Sequence, residues 1–192
     1  MTGLTRGIAL SRGNRSRRSI RNLAGKLRLL CGLLLGSLVL LCPDAALQAQ
    51  APLVNKPAPL FVRTDLQGRR IDLKALRGKV ILLNFWATWC GPCRVELPQF
   101  QAWQNQYGSA GLQVVTISMD DDEQPIRAAV RKLGLDLPVI HGDDKLGTLY
   151  GGILGLPVTF LIDRQGRLVE RREGAANLPD LERKVQQLLG RH

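Results

Sequence analysis

The stretch Val80-Ile81-Leu82-Leu83-Asn84-Phe85-Trp86-Ala87-Thr88-Trp89-Cys90-Gly91-Pro92-Cys93-Arg94-Val95-Glu96-Leu97-Pro98 decides the fold. Val80 to Trp86 is apolar except for Asn84, the pattern of a strand buried on both faces. Beyond Gly91 the pattern changes, and Leu97, Phe100, Ala102, Trp103 and Tyr107 are expected to share the inward face of a helix. Pro92 suits the first turn of that helix, where the N–H it lacks would have no intrahelical partner. Cys90 therefore stands where a strand gives way to a helix. Unpaired backbone N–H groups and the positive end of the helix dipole lie there, and both favour thiolate over thiol.

The remaining composition bounds what this junction can serve. The chain has 192 residues, 45% hydrophobic and 22% charged, which is ordinary globular composition with room for one domain and an additional segment. A net charge of +11 raises the question of a nucleic-acid partner. Residues 1–50 hold eight Arg and Lys against Asp44 alone, so +7 of that excess sits in the leader and the rest of the chain carries no long basic run. Nucleic acid is not an expected partner.

The leader has the order of an export signal: a basic stretch to Arg28, an apolar run from Leu29 to Cys42, then Pro43, Asp44 and the small residues from Ala45 to Ala51. The apolar run is 14 residues, short of the roughly 20 that span a bilayer. We read residues 1–51 as an export signal or an amino-terminal membrane anchor, with cleavage favoured, and 52–192 as the working domain. Ala49-Gln50-Ala51 has the form of a cleavage site, although Pro52 follows it. Ser16-Arg17-Arg18-Ser19-Ile20-Arg21 is a partial twin-arginine match, and Leu41 before Cys42 argues against lipidation. The basic flank stays cytoplasmic by the positive-inside rule, which leaves the domain facing an oxidising compartment and touching the membrane only through this segment. Cys31 and Cys42 read as small apolar residues of the run.

Cys90 and Cys93 are the two cysteines left in the domain. Such a pair can be a redox dithiol, half of a zinc site or a structural staple. Zinc takes about four ligands, and His141 and His192 do not stand at ligand spacing, so no metal is expected. A bridge closing so short a loop constrains the unfolded chain little. The redox reading survives: Cys90 attacks a partner's disulfide, and Cys93, one turn into the helix, resolves the mixed disulfide.

Asn84 to Pro98, around Trp89-Cys90-Gly91-Pro92-Cys93, resembles the active-site segment of the thioredoxin superfamily and, more narrowly, its exported TlpA/ResA-like branch. The likeness runs over about residues 55–190 and implies an α/β thioredoxin fold: a mixed central β-sheet flanked by helices, with an N-terminal β-hairpin and a central insertion. It implies a protein thiol–disulfide oxidoreductase without a bound cofactor, monomeric, on the periplasmic side of a bacterial envelope. Its partners would be disulfide-bearing envelope proteins, of the cytochrome c maturation or copper-site kind, with a membrane electron donor of CcdA/DsbD type. Trp89, Gly91, Pro92, Leu156 and Pro157 would contact substrate. Gly155-Leu156-Pro157-Val158-Thr159-Phe160-Leu161-Ile162-Asp163 resembles the segment carrying the family's cis-proline, which docks the partner's backbone and keeps a metal-binding side chain out. From the residues alone Pro157 is equally an ordinary strand-edge proline. Pro98 matches the proline within the family's first long helix, and as a bending residue it needs no other reason.

Asn84 departs from thioredoxin itself, which has there a buried Asp that accepts the inner cysteine's proton. The TlpA/ResA-like branch commonly has Asn at that place and a Glu three residues after the second cysteine, where Glu96 stands. Two readings of Glu96 are open: a proton handler for the pair, or a solvated helix-face residue balancing Arg94.

The rest reads as the expected alternation. Leu60–Thr64 and Arg70–Leu73 form a hairpin through Gln67-Gly68, and Leu112–Ser118 is a strand. Asp120 to Glu123 reads as surface acid before a helix from about Pro125 to Leu133, not as a calcium site. Leu137 to Gly152 is the insertion, with His141 a loop residue. Val158–Ile162 and Leu168–Arg172 form a second hairpin, and Asn177 caps a last helix with Leu178, Leu181, Val185 and Leu188 inward. The nearest rival function is a dithiol oxidase on the same fold. A peroxiredoxin-like peroxidase wants Thr or Ser three residues before its cysteine and Pro seven before, where this chain has Ala87 and Leu83. A copper metallochaperone wants wider cysteine spacing and a histidine near the cis-proline loop, and Gly152 to Asp163 contains none.

Overall fold

The computed structural model describes residues 53–190. The leader with Cys31, Cys42 and its cleavage region, and His192, lie outside the described residues. The elements in chain order are β1 (Val62–Thr64), β2 (Arg70–Asp72), a 3-10 turn (Leu73–Leu76), β3 (Val80–Trp86), α1 (Gly91–Tyr107), β4 (Leu112–Ser118), α2 (Glu123–Leu133), β5 (Val139–His141), α3 (Asp144–Leu149), β6 (Val158–Ile162), β7 (Leu168–Glu173) and α4 (Leu178–Leu189). No helix among the described residues is long and apolar enough to cross a membrane.

β1 and β2 pair antiparallel as a separate hairpin, and the other strands form one sheet in the order β5-β4-β3-β6-β7. The three strands β3, β4 and β5 run parallel, whereas β6 and β7 run antiparallel to their neighbours. This is the expected mixed sheet flanked by helices. β3 lies at its centre and every one of its residues is buried. Strand alternation sends Val80, Leu82 and Trp86 to one side, where α1, α2 and α4 supply Phe100, Ile126 and Leu181. Ile81, Leu83 and Phe85 face the other side, against Val115, Tyr150, Phe160 and, from the amino-terminal segment, Phe61. There the rings of Phe85, Tyr150 and Phe160 meet in tilted and edge-to-face contacts at 5.1–5.8 Å between centroids, and the Tyr150 hydroxyl donates to Pro59 O at 2.8 Å. Apolar layers thus cover both faces of β3, and the strand ends at Trp86.

Some expectations need correction. Ala102 is exposed, not inward: it lies roughly 200° around the helix from Phe100, while Cys93, Leu97, Phe100 and Trp103 hold the buried stripe. Leu60 is exposed and precedes β1, which begins at Val62. α2 starts at Glu123 with Asp122 at its cap, two residues before the expected start. The insertion contains β5 and the short helix α3, which Asp143 caps by accepting Leu146 N–H at 2.7 Å. The side chain of Asn177 caps α4 as expected, accepting Asp180 N–H at 3.1 Å.

Candidate functional site

Cys90 occupies the N-cap of α1 with extended backbone (φ −81°, ψ 106°), and its Sγ accepts the Cys93 N–H at 3.3 Å. A turn closed by Cys90 N–H on Ala87 O at 3.1 Å delivers it there from β3. Cys90 and Cys93 are joined as a disulfide, with Cα atoms 5.3 Å apart. Cys93 has no exposed surface, whereas Cys90 keeps 4% and is flanked by exposed Trp89 (72%) and Gly91. Pro92 is exposed as well. The two residues thus differ slightly in access: Cys93 is fully enclosed and Cys90 keeps a small exposed area, while both belong to the apolar cluster with Leu97 and Phe100.

The Leu156–Pro157 bond is cis, as the resemblance implied, and Pro157 is buried just before β6. Val158 pairs with Phe85, so the register carries Pro157 to the carboxyl end of β3, the end from which Cys90 emerges. Leu156 is half-buried and packs against the core layer that contains both cysteines. The preceding loop is pinned by Arg171, whose guanidinium donates to Gly152 O at 3.0 Å and lies 5.6 Å over the Phe160 ring. Sequence reasoning did not single out Arg171, whose partners lie up to 21 residues away.

Glu96 is not a solvated surface acid; it is 3% exposed on the α1 face that also buries Cys93. Its Oε1 accepts the Ala176 N–H at 2.7 Å, and its Oε2 has no partner among the described residues. Burial raises the Glu96 carboxyl above its ordinary range, against the downward pull of the Ala176 N–H. Asn84 lies opposite Thr159 in the sheet and donates from Nδ2 to its Oγ1 at 2.9 Å; its Oδ1 has no partner among the described residues.

Asp120 corrects another expectation. The Asp120 side of the acid run is not surface: the residue is buried, and its carboxylate accepts Thr88 N–H at 2.9 Å, Thr88 Oγ–H at 2.6 Å and Ser118 Oγ–H at 2.5 Å. His141, read as a loop residue, ends β5 with Nε2 at 2.8 Å from Asp120 O. One sequence signal for this cluster existed: Asp120 stands two residues past the last residue of β4, and the carboxyl ends of parallel strands are where sites gather.

The comparisons with known proteins bear on this geometry. Residues 54–171, more than half of the chain, match the AhpC/TSA family. The chain belongs to that family. The thiol-disulfide oxidoreductase ResA of Bacillus thuringiensis (strain Al Hakam) is 38% identical over 131 residues, covering 67% of this chain and 75% of that protein. ResA of Bacillus cereus (strain ZK / E33L) is 37% identical over 137 residues, covering 70% and 78%. Among solved structures, the thioredoxin family thiol:disulfide interchange protein from Chlorobium tepidum TLS aligns with a TM-score of 0.65 at 31% identity, covering 70% of this chain and 96% of that one. This AhpC/TSA family chain is an enzyme, a thiol–disulfide oxidoreductase on a thioredoxin fold, as its Trp-Cys-Gly-Pro-Cys run implied.

Proposed function

We propose that this oxidoreductase reduces disulfides of exported proteins, with Cys90 as the attacking sulfur and Cys93 as the resolving one. The observation that carries the reading is the asymmetry of the pair: Cys90 caps α1 with its Sγ receiving a backbone N–H, while Cys93 is wholly enclosed. An N–H aimed at Sγ stabilises negative charge on Cys90, so it is the sulfur poised to act as nucleophile.

The sequence of steps follows. The Cys90 thiolate attacks one sulfur of the partner's disulfide, and the partner's other sulfur leaves as a thiolate. Cys93 then gives its proton to the Glu96 carboxylate and attacks Cys90 Sγ. The partner's first sulfur is released, and the Cys90–Cys93 bond closes. Two electrons pass from the dithiol to the partner, and a membrane donor of CcdA/DsbD type restores them. The raised pKa of Glu96 suits it to this exchange, because a group titrating nearer neutrality both takes and returns a proton. Trp89, Gly91 and Pro92 present the surface around Cys90, and Leu156 with cis-Pro157 guides the partner's chain alongside.

Residues 1–51 deliver the working domain, 52–192, to the periplasmic side of the envelope, as a cleaved signal or as an anchor. The substrates that fit are apocytochrome c or copper-site proteins held oxidised in that space. The reducing direction rests on the Gly91-Pro92 spacer, which resembles thioredoxin's own. Equilibration of the purified domain with glutathione buffers tests it. The expected potential lies near the thioredoxin value of about −270 mV; a value near the about −120 mV of a strong oxidase reverses the direction.

A further inference from the structure

Asp120 is not needed by the steps above, yet it is buried and heavily bonded beside the residues that carry them. Its carboxylate meets both the N–H and the hydroxyl of Thr88, at 2.9 and 2.6 Å. Thr88 lies inside the turn closed between Ala87 O and Cys90 N–H, so Asp120 grips the segment that sets Cys90 at the helix cap. The carboxylate is itself held from the sheet. Ser118, the last residue of β4, donates to it at 2.5 Å, while His141 Nε2 at the end of β5 lies 2.8 Å from the backbone carbonyl oxygen of Asp120. Met119 N–H donates to Trp86 O at 2.8 Å and closes the same corner from the backbone. The turn from β3 to Cys90 is thereby tied through the Asp120 carboxylate to the end of β4, and the Asp120 backbone is held in turn from β5.

We propose that Asp120 is a positioning residue for Cys90: through Thr88 it holds the Ala87–Cys90 turn so that Sγ receives the Cys93 N–H. The assignment rests on Cys90 as the attacking sulfur. A negative charge near a thiolate would by itself disfavour the thiolate. The hydrogen bonds that the Asp120 carboxylate accepts from the Thr88 N–H, the Thr88 hydroxyl and the Ser118 hydroxyl act in the opposite sense, by keeping the cap geometry. Charge-assisted bonds of this kind, once lost, leave the partly buried Thr88 N–H without its acceptor and release the turn. The two effects therefore predict opposite signs, which makes the assignment testable.

The test uses a Cys93→Ala parent, where Cys90 is the sole thiol of the domain. The rate of its alkylation by iodoacetamide is followed across pH, with thermal unfolding measured alongside. Adding Asp120→Ala is expected to raise the Cys90 pKa and slow alkylation at neutral pH about tenfold, because the thiolate that reacts becomes correspondingly scarcer. Adding Thr88→Val, which keeps the carboxylate and the Thr88 N–H, is expected to slow it about threefold, the worth of one hydroxyl hydrogen bond. If Asp120→Ala does not fold, Thr88→Val decides. Unchanged rates and pKa in folded variants, or faster alkylation as a purely electrostatic role would give, overturn the assignment. If Cys90 in the parent reacts no faster than glutathione, the nucleophile reading falls and this inference falls with it. A fast parent with unaltered variants removes Asp120 alone.

Discussion

At the scale of single residues, the buried acid Glu96 carries a cost that can be measured. Its proton is held more tightly in the folded chain than in the unfolded one, where its ordinary value is 4.5. Folding stability from this group is therefore fully present below pH 4.5, and it falls as pH rises from there to the higher folded-state value. Glu96→Gln keeps an acceptor for the Ala176 N–H and removes the charge, so the oxidised variant should lose less stability between acid and neutral pH. Denaturant unfolding at several pH values checks this; parallel pH profiles for the two proteins would contradict it. The same variant should slow substrate reduction and flatten its pH dependence. The position of Glu96 one turn after Cys93 was legible in the sequence, but its burial was not. That burial depends on the Ala176 backbone, 80 residues away in the chain, which no local pattern reports. Asp120 was hidden for the same reason: its acid neighbours Asp121 and Asp122 are exposed, and only the fold separates it from them.

At the scale of elements, α1 carries most of the site and its faces can be separated. Phe100 is fully buried in the layer that also holds Cys93 and Trp103, with its ring 5.4 Å from Trp103. Phe100→Ala should cost about 3–5 kcal/mol of stability through the cavity it leaves. Ala102→Lys on the opposite face should change stability by less than about 0.5 kcal/mol. Chemical denaturation of the two variants distinguishes the observed helix face from one with Ala102 inward, which would make the lysine strongly destabilising. Periodicity revealed α1, β3, β4 and α4 because each has enough buried positions to show a repeat. α3, at six residues with Leu146 and Gly147 buried, has too few turns to display one. β5 has three residues, and its pairing with β4 rather than its composition defines it. The cis bond at Pro157 came into view through resemblance, since proline alone is compatible with either isomer.

At the scale of the whole molecule, the sheet order places three separated segments at one end: the β3–α1 junction with Cys90, the β4 end with Asp120, and the start of β6 with cis-Pro157. The α/β alternation pointed to this architecture, and the redox pair gave the chemistry; the convergence of these loops is a property of register. The charge imbalance, which resides in the leader, has no counterpart in this site. The central claim is that Cys90 attacks and Cys93 resolves. Mass spectrometry of reduced Cys93→Ala and Cys90→Ala variants, each mixed with an oxidised Cys-x-x-Cys-His peptide of the apocytochrome c type, tests it most directly. The account predicts a covalent adduct on Cys90 in the Cys93→Ala protein, released by dithiothreitol, and none in the Cys90→Ala protein. An adduct forming on Cys93 as readily as on Cys90 would contradict it.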